Sequence, residues 1–385
     1  MAHDKRLGDY STVVAARRSS EDDLLKSSSG GLTSFVIEKL LERGEIDGVI
    51  HSAPVSEKDV LFEFAVSTTA EELAGRKKSY YYATTFADAL NSVRGDGRRY
   101  AILGVPCYIR AARSICEGDN ELKSQLLFFA GLVCGHMKSQ LFAESLAWQD
   151  GVAPDELAQV DFRLKVPGKD AGRYDFGARA VGAPDLRRKP TAEMVGGSWG
   201  HGAFQPEACN FCDDIFAETA DVAFGDAWLP EYKEDWRGTN VVVSRNPIID
   251  DIIETGREDG SLTVDQLSVE DAARTQAGNF RHRRDGLAVR LADDSAANLS
   301  VPKKRVAPDA DRVDPQRRKL IRQRRKMSAA SFELFLSAKS AGSLEIFTEG
   351  FEKLIREYRT IESGSAVDQA KKRGRAAIKK LLGRG

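Results

Sequence analysis

The 385-residue sequence contains no apolar run approaching the roughly 18–20 residues that a membrane span requires. Its opening, "MAHDKRLGDYSTVV", has no hydrophobic h-region, so no secretory signal is visible and a cytoplasmic location is expected. Cysteine is scarce, with five in the chain. A reducing compartment disfavours disulfides, so their pattern reads better as ligands plus one spare thiol. There is no internal repeat, no Walker loop and no G-x-G-x-x-G fingerprint. Aromatic residues do not interleave with the basic clusters, which argues against a nucleic-acid partner.

What is present is an ordinary soluble balance, 42% hydrophobic and 30% charged residues, with an uneven charge distribution. From residue 301 onward there are 22 Lys and Arg against 10 Asp and Glu, leaving 35 against 48 in the first 300 residues. An acidic body therefore carries a basic tail. The tail has two basic groups, Lys303–Lys326 and Lys371–Lys380. A solvated face is the plain reading; an anionic membrane surface or an acidic partner is the functional one.

The body reads as alternating strands and helices. "VVAAR" is strand-like, and "KSSSGGLTSFVIEKLLERGEI" is a Ser/Gly loop entering an amphipathic helix with Phe35, Val36, Leu40 and Leu41 near one face. "RRYAILGVPCYIRAARSIC" and "ELKSQLLFFAGLVCGHMKSQLFAESLAWQDG" each read as strand, tight turn and helix. That repetition predicts an α/β fold, a mixed or parallel sheet core with flanking helices, followed by a C-terminal basic helical extension. The expected division is 1–100, 101–295 and 296–385. Strand C-termini are where such sheets place chemistry, and Cys107 and Cys134 both sit there.

Cys209 and Cys212 form a two-residue pair in "CNFC". Together with Cys107 and Cys134 they make four thiols on three loops, a set suited to an iron–sulfur cluster or to zinc. A redox disulfide and simple burial remain as alternatives. Cys116 lies mid-helix and reads as packing. In and just after "SSSGG", Ser28, Ser29, Gly30, Gly31 and Thr33 stand at a helix start, where N–H groups and hydroxyls can cradle a pyrophosphate. The bland alternative is a capped helix after a flexible loop. His136 can act as a general acid or as support for its neighbours. Asp226 can orient a cofactor or simply form a turn, and His201, flanked by glycines, can line a substrate pocket. Arg245, after the "TNVVVS" strand, can meet a phosphate, with a solvated strand end as the plain reading.

Five segments taken together carry a resemblance: "KSSSGGLTSFVIEKLLERGEIDGVI", "AILGVPCYIRAAR", "LVCGHMKSQLF", "VDFRLK" and "CNFCDDIFAETADVAFGDAW". In this order, over roughly residues 13 to 250, the chain resembles the coenzyme F420 hydrogenase/dehydrogenase beta-subunit family, which includes members from polysaccharide gene neighbourhoods. The resemblance implies a flavin and iron–sulfur oxidoreductase. FAD phosphates would lie on the Ser-Gly loop, and one [4Fe–4S] cluster would be held by Cys107, Cys134, Cys209 and Cys212. The substrate would be a small molecule, saccharide-related by that analogy. Many relatives carry an N-terminal cysteine-rich segment that this sequence does not show, so a ferredoxin-like carrier is the expected electron source, docking on Arg317–Lys326. An F420-like hydride carrier is the other, although Tyr80 stands where many relatives have lysine. The rival readings are a zinc-stabilised, non-catalytic protein of polysaccharide assembly and a redox adaptor without its own substrate.

Overall fold

A computed structural model describes residues 1–55 and 60–364. The expected α/β architecture is observed: a mixed sheet core, flanking helices and a C-terminal helical region. The basic group at Lys371–Lys380 lies outside the described residues.

Strands β1 (Ala2–Asp4) and β2 (Gly8–Tyr10) form a hairpin ahead of β3 (Thr12–Arg18). Next come β4 (Gly48–Pro54), β5 (Phe62–Ser67), β6 (Tyr100–Gly104) and β7 (Leu126–Leu132). Then β8 (Leu157–Leu164), β9 (Asp175–Ala180) and β10 (Arg187–Pro190) make a separate antiparallel sheet. The chain returns through β11 (Val222–Asp226), β12 (Asn240–Ser244) and β13 (Leu262–Gln266). Among the described residues, eight strands join in the order β13-β3-β12-β11-β7-β6-β4-β5.

The centre of that sheet, β11-β7-β6-β4, is parallel. Strand β12 pairs antiparallel with both β11 and β3, so β3 runs in the same direction as β11. Five strands, β3, β11, β7, β6 and β4, therefore end at one edge of the sheet. The first four lead to the Ser-Gly loop (through the short helix Glu21–Leu25), the Gly225-Asp226 step, the Cys134 turn and the Cys107 turn.

Alternation along the strands fills both faces. Val14, Ala16, Phe128, Ala130, Phe224 and Val242 meet Phe35, Val36, Leu40, Ile249 and Ile253 on one side. Val13, Ile102, Phe129, Ala223, Val241 and Val243 meet Ile109, Ala112 and Cys116 on the other. Cys116 is thus a core side chain, and its burial pushes the thiol pKa up.

By contact density the chain divides into two units, residues 1–194 with 214–283, and residues 195–213 with 284–385. The first contains the sheet. In the second, the helices Pro315–Ala341 and Glu345–Ser363 pack around Phe204, whose ring meets Phe332, Phe335 and Phe347. Four cations of the first of these helices form ion pairs inside the unit: Arg318 with Asp311, Arg322 with Asp293, Arg325 with Glu207 and Asp294, and Lys326 with Glu357. Within the expected docking segment Arg317–Lys326, Arg322 and Lys326 stay 52% and 60% exposed while ion-paired.

Candidate functional site

The Ser-Gly loop follows β3 and starts the helix Leu32–Glu42. Gly31 is the N-cap, at φ 78, and makes no side-chain capping bond. A glycine cap leaves the first turn of the helix open to an external acceptor. One N–H of that turn is already used: Leu32 donates to Asn240 Oδ1 at 3.2 Å. Gly30 has a separate reason to be glycine. A Cβ there would meet Ala16 O at 2.8 Å and Asn240 N at 2.9 Å. Ser28 Oγ accepts from Ser79 N at 2.9 Å, and Thr33 is half-buried on the first helical turn.

Beneath the loop lies Lys165, at the end of β8. Its Nζ donates to Leu24 O at 2.7 Å, Ser29 O at 2.8 Å and Arg237 O at 2.5 Å. Burial, then the charges of Arg163 and Lys78, push its pKa down to about 7. Three carbonyls satisfy the three donors of an ammonium and act in the opposite sense. Lys77 and Arg18 add positive charge, shared with Asp23 and Glu38. An N-terminal helix turn and hydroxyls, with positive charge close by, suit a phosphate-bearing group. The neighbouring cavity of about 370 Å³ is lined by Glu21, Glu231, Glu234, Asp235, Trp236 and Arg237. Its acidic lining suits an anion poorly.

Asp226 closes the next strand. Its carboxylate accepts from Arg163 Nη1 at 2.8 Å, and Arg163 is buried at 5% exposure beside the Tyr174 and Trp228 rings. Asn240 ties this strand to the loop by donating to Gly225 O at 3.0 Å while accepting from Leu32 N. Gly225 must be glycine, because a Cβ would meet Val133 Cβ at 2.7 Å.

The cysteine turns divide between the units. In the first, exposed Cys107 is the second residue of the helix Pro106–Gly118, where the helix dipole favours a thiolate, and buried Cys134 follows β7. Arg283 donates to Cys134 O at 3.0 Å and Gly135 O at 2.6 Å. In the second, Cys209 and Cys212 lie at the short helical turn Glu207–Phe211, and Arg290 donates to Asn210 O at 2.9 Å. Thiols in turns backed by buried guanidinium groups suit an anionic, thiolate-ligated group. Among the described residues, no three His, Cys, Asp or Glu side chains gather in a group that could hold a metal ion.

His136 is buried, its ring edge-on to His282 at 6.5 Å. His201 belongs to the second unit and meets Tyr358 at 5.8 Å. Arg245 is not a solvated strand end: it is partly buried and donates to Ala220 O, Leu7 O and Phe216 O. Sequence reasoning passed over Arg163, Lys165, Asn240 and Arg283. Two basic residues inside the alternating strand "VDFRLK" were the one local signal.

Two family patterns match the chain. The N-terminal pattern of the coenzyme F420 hydrogenase/dehydrogenase beta subunit covers residues 13–91, and the C-terminal pattern of the same family covers residues 97–270. The F subunit of the F(420)H(2) dehydrogenase of Methanosarcina mazei is 32% identical over 243 residues, spanning 61% of this chain and 61% of that relative's length. The beta subunit of the coenzyme F420 hydrogenase of Methanothermobacter thermautotrophicus is 24% identical over 264 residues, 66% of this chain and 84% of the relative. A chain of the F420-reducing [NiFe] hydrogenase complex from Methanosarcina barkeri shares the fold, with a TM-score of 0.57 at 18% identity over 78% of this chain and 99% of its own. No helix among the described residues is long and apolar enough to cross a membrane. With the two patterns together matching well over half of its residues, the chain belongs to the coenzyme F420 hydrogenase/dehydrogenase beta-subunit family.

Proposed function

We propose that this protein is a flavin- and iron–sulfur-dependent oxidoreductase subunit that passes electrons between an external carrier and a small substrate. The observation that carries the reading is the common sheet edge, to which the Ser-Gly loop, Asp226, Cys134 and Cys107 are all delivered by strands running the same way. Ser28, Ser29, Gly30, Gly31 and Thr33 would hold the FAD pyrophosphate, with Lys165 bracing the loop from below. Cys107, Cys134, Cys209 and Cys212 would ligate one [4Fe–4S] cluster. A flavin joins two-electron to one-electron chemistry, which is what such a junction requires.

The chain's own residues would bind and orient. Arg163 pairs with the Asp226 carboxylate and directs it. Partly buried Tyr80 and Tyr81 have phenol pKa values pushed up by desolvation, so both remain protonated at neutral pH. His136 is the proposed proton donor and His201 a pocket-lining residue. A functional division into a flavin-phosphate part in 1–100, a cluster part in 101–295 and a helical extension in 296–385 belongs to this proposal, and its bounds differ from those of the two compact units. The relatives' names describe subunits of dehydrogenases and hydrogenases, which supports work alongside a partner subunit, with a ferredoxin-like or F420-like carrier as donor or acceptor. A saccharide-related substrate belongs to this proposal, as does a cytoplasmic site of action.

Anaerobic purification followed by flavin, iron and sulfide analysis tests the reading. Flavin absorbance with a broad shoulder near about 400 nm is expected for a cluster of this class. A colourless protein holding one zinc would replace it with the structural alternative.

A further inference from the structure

We infer that Arg283 is the positioning residue of the Cys134 turn, setting that thiol as a cluster ligand and supplying the buried positive charge beside it. The inference rests on the iron–sulfur reading above. Arg283 lies beyond the family-matched stretch, which ends at residue 270, on a π-helical turn, Arg281–Asp285. Such turns are rare and concentrate at functional positions.

Three backbone acceptors fix the guanidinium. Its Nη1 donates to Cys134 O and Gly135 O, and its Nη2 to Asp214 O at 3.2 Å. At 1% exposure it is among the most deeply buried large side chains in the protein. A guanidinium that deep is costly unless hydrogen-bonded, and its planar fork matches carbonyls on two segments at once.

The other side of the turn is closed by Asn279. A Cβ on Gly135 would meet Asn279 Oδ1 at 2.6 Å, so the turn's backbone lies directly against that amide. Asn279 Nδ2 donates to Gln276 Oε1 at 2.8 Å, and Gln276 Nε2 donates to the Asp226 carbonyl at 2.7 Å. One short helical segment thereby braces the Cys134 turn and the strand end that carries Asp226. The second unit repeats the device: Arg290, 2% exposed, grips the carbonyl of Asn210 between Cys209 and Cys212.

A fixed cation beside a thiolate lowers the energy of negative charge on the sulfur and on the group it ligates. One-electron reduction adds negative charge to a cluster, so Arg283 favours the reduced form and raises the midpoint potential. The test compares wild type, Arg283→Lys, Arg283→Met and Asn279→Ala after anaerobic reconstitution. Iron and sulfide per chain, the midpoint potential by spectroscopic titration and circular dichroism are read on each. Arg283→Met is expected to lose iron at least twofold or, where the cluster is retained, to show a lower potential. Arg283→Lys should lie closer to wild type in potential, and Asn279→Ala should lose part of the iron with the fold intact. If Arg283→Met does not fold, the comparison passes to the other two variants. Folded variants with wild-type iron and potential overturn the positioning role alone. A wild type that takes up no iron overturns the cluster reading, and the inference with it.

Discussion

The Ser-Gly loop and the Cys134 turn leave the same edge of the same sheet, yet they are held differently. The loop lies against its own strand: Gly30 presses on the backbone of Ala16 and Asn240, and a lysine amine closes three carbonyls beneath it. The turn is held by a guanidinium and an amide from a helical segment late in the chain. Glycine contacts are steric and admit no substitute. Side-chain braces are electrostatic and can be weakened by degrees. The loop should therefore fail abruptly on mutation, and the turn gradually.

The largest effect is expected at Gly30. A valine there would drive Cβ into two backbone atoms that cannot yield, so Gly30→Val should cost roughly 2–4 kcal/mol or prevent folding. Urea denaturation checks it; a loss under about 1 kcal/mol would show that the loop has slack. Asn240→Ala comes next. It removes the acceptor of Leu32 N and the donor to Gly225 O, and leaving such groups unmet costs roughly 1–3 kcal/mol. Flavin content should fall with it while iron per chain is kept, because the damage lies on the loop side; equal loss of both would erase the contrast.

Lys165→Met should have a smaller effect, about 1–2 kcal/mol, because three lost hydrogen bonds are partly offset by removing a buried charge. Its pH signature is distinctive. The folded-state pKa of about 7 lies below the unfolded value near 10.5, so between those limits the unfolded chain binds the extra proton. Wild type should then gain stability relative to the variant as pH rises through that window, and parallel curves would remove the amine from the account.

The smallest effect at neutral pH lies away from both regions. His51 is buried against Ser67 Oγ, and desolvation, then Arg76, pushes its pKa down to about 4. The unfolded imidazole takes a proton near pH 6.5 while the folded one does not. Stability present above pH 6.5 is therefore lost as pH falls towards 4, by no more than about 1.4 kcal/mol per pH unit. His51→Gln should flatten that acid limb without touching iron or flavin.

Much of the fold was legible in the sequence where the cause is local. Glycine marked the helix start at Leu32, "GVPC" marked a strand feeding a helix, and alternation marked the strands of both core faces. The basic segment 315–326 read correctly as helix, but its ion-pair partners were not legible, because they lie as far away as Glu207 and Glu357. Asp226 was visible as a candidate; its partner Arg163 was not, since a lone arginine in a strand looks the same whether it is solvated or buried.

By itself the sequence determined which thiols sit in turns, where a glycine cap opens a helix and which faces are apolar, because strand and helix periods and turn chemistry act over a few neighbouring residues. Only the tertiary structure decided what holds those turns. Lys165 reaches Ser29 across 136 residues, Arg283 reaches Cys134 across 149 and Asn240 reaches Leu32 across 208. Contacts at such separations leave no period in the sequence. They exist because folding brings distant polar groups into places where water is excluded and each must find a partner.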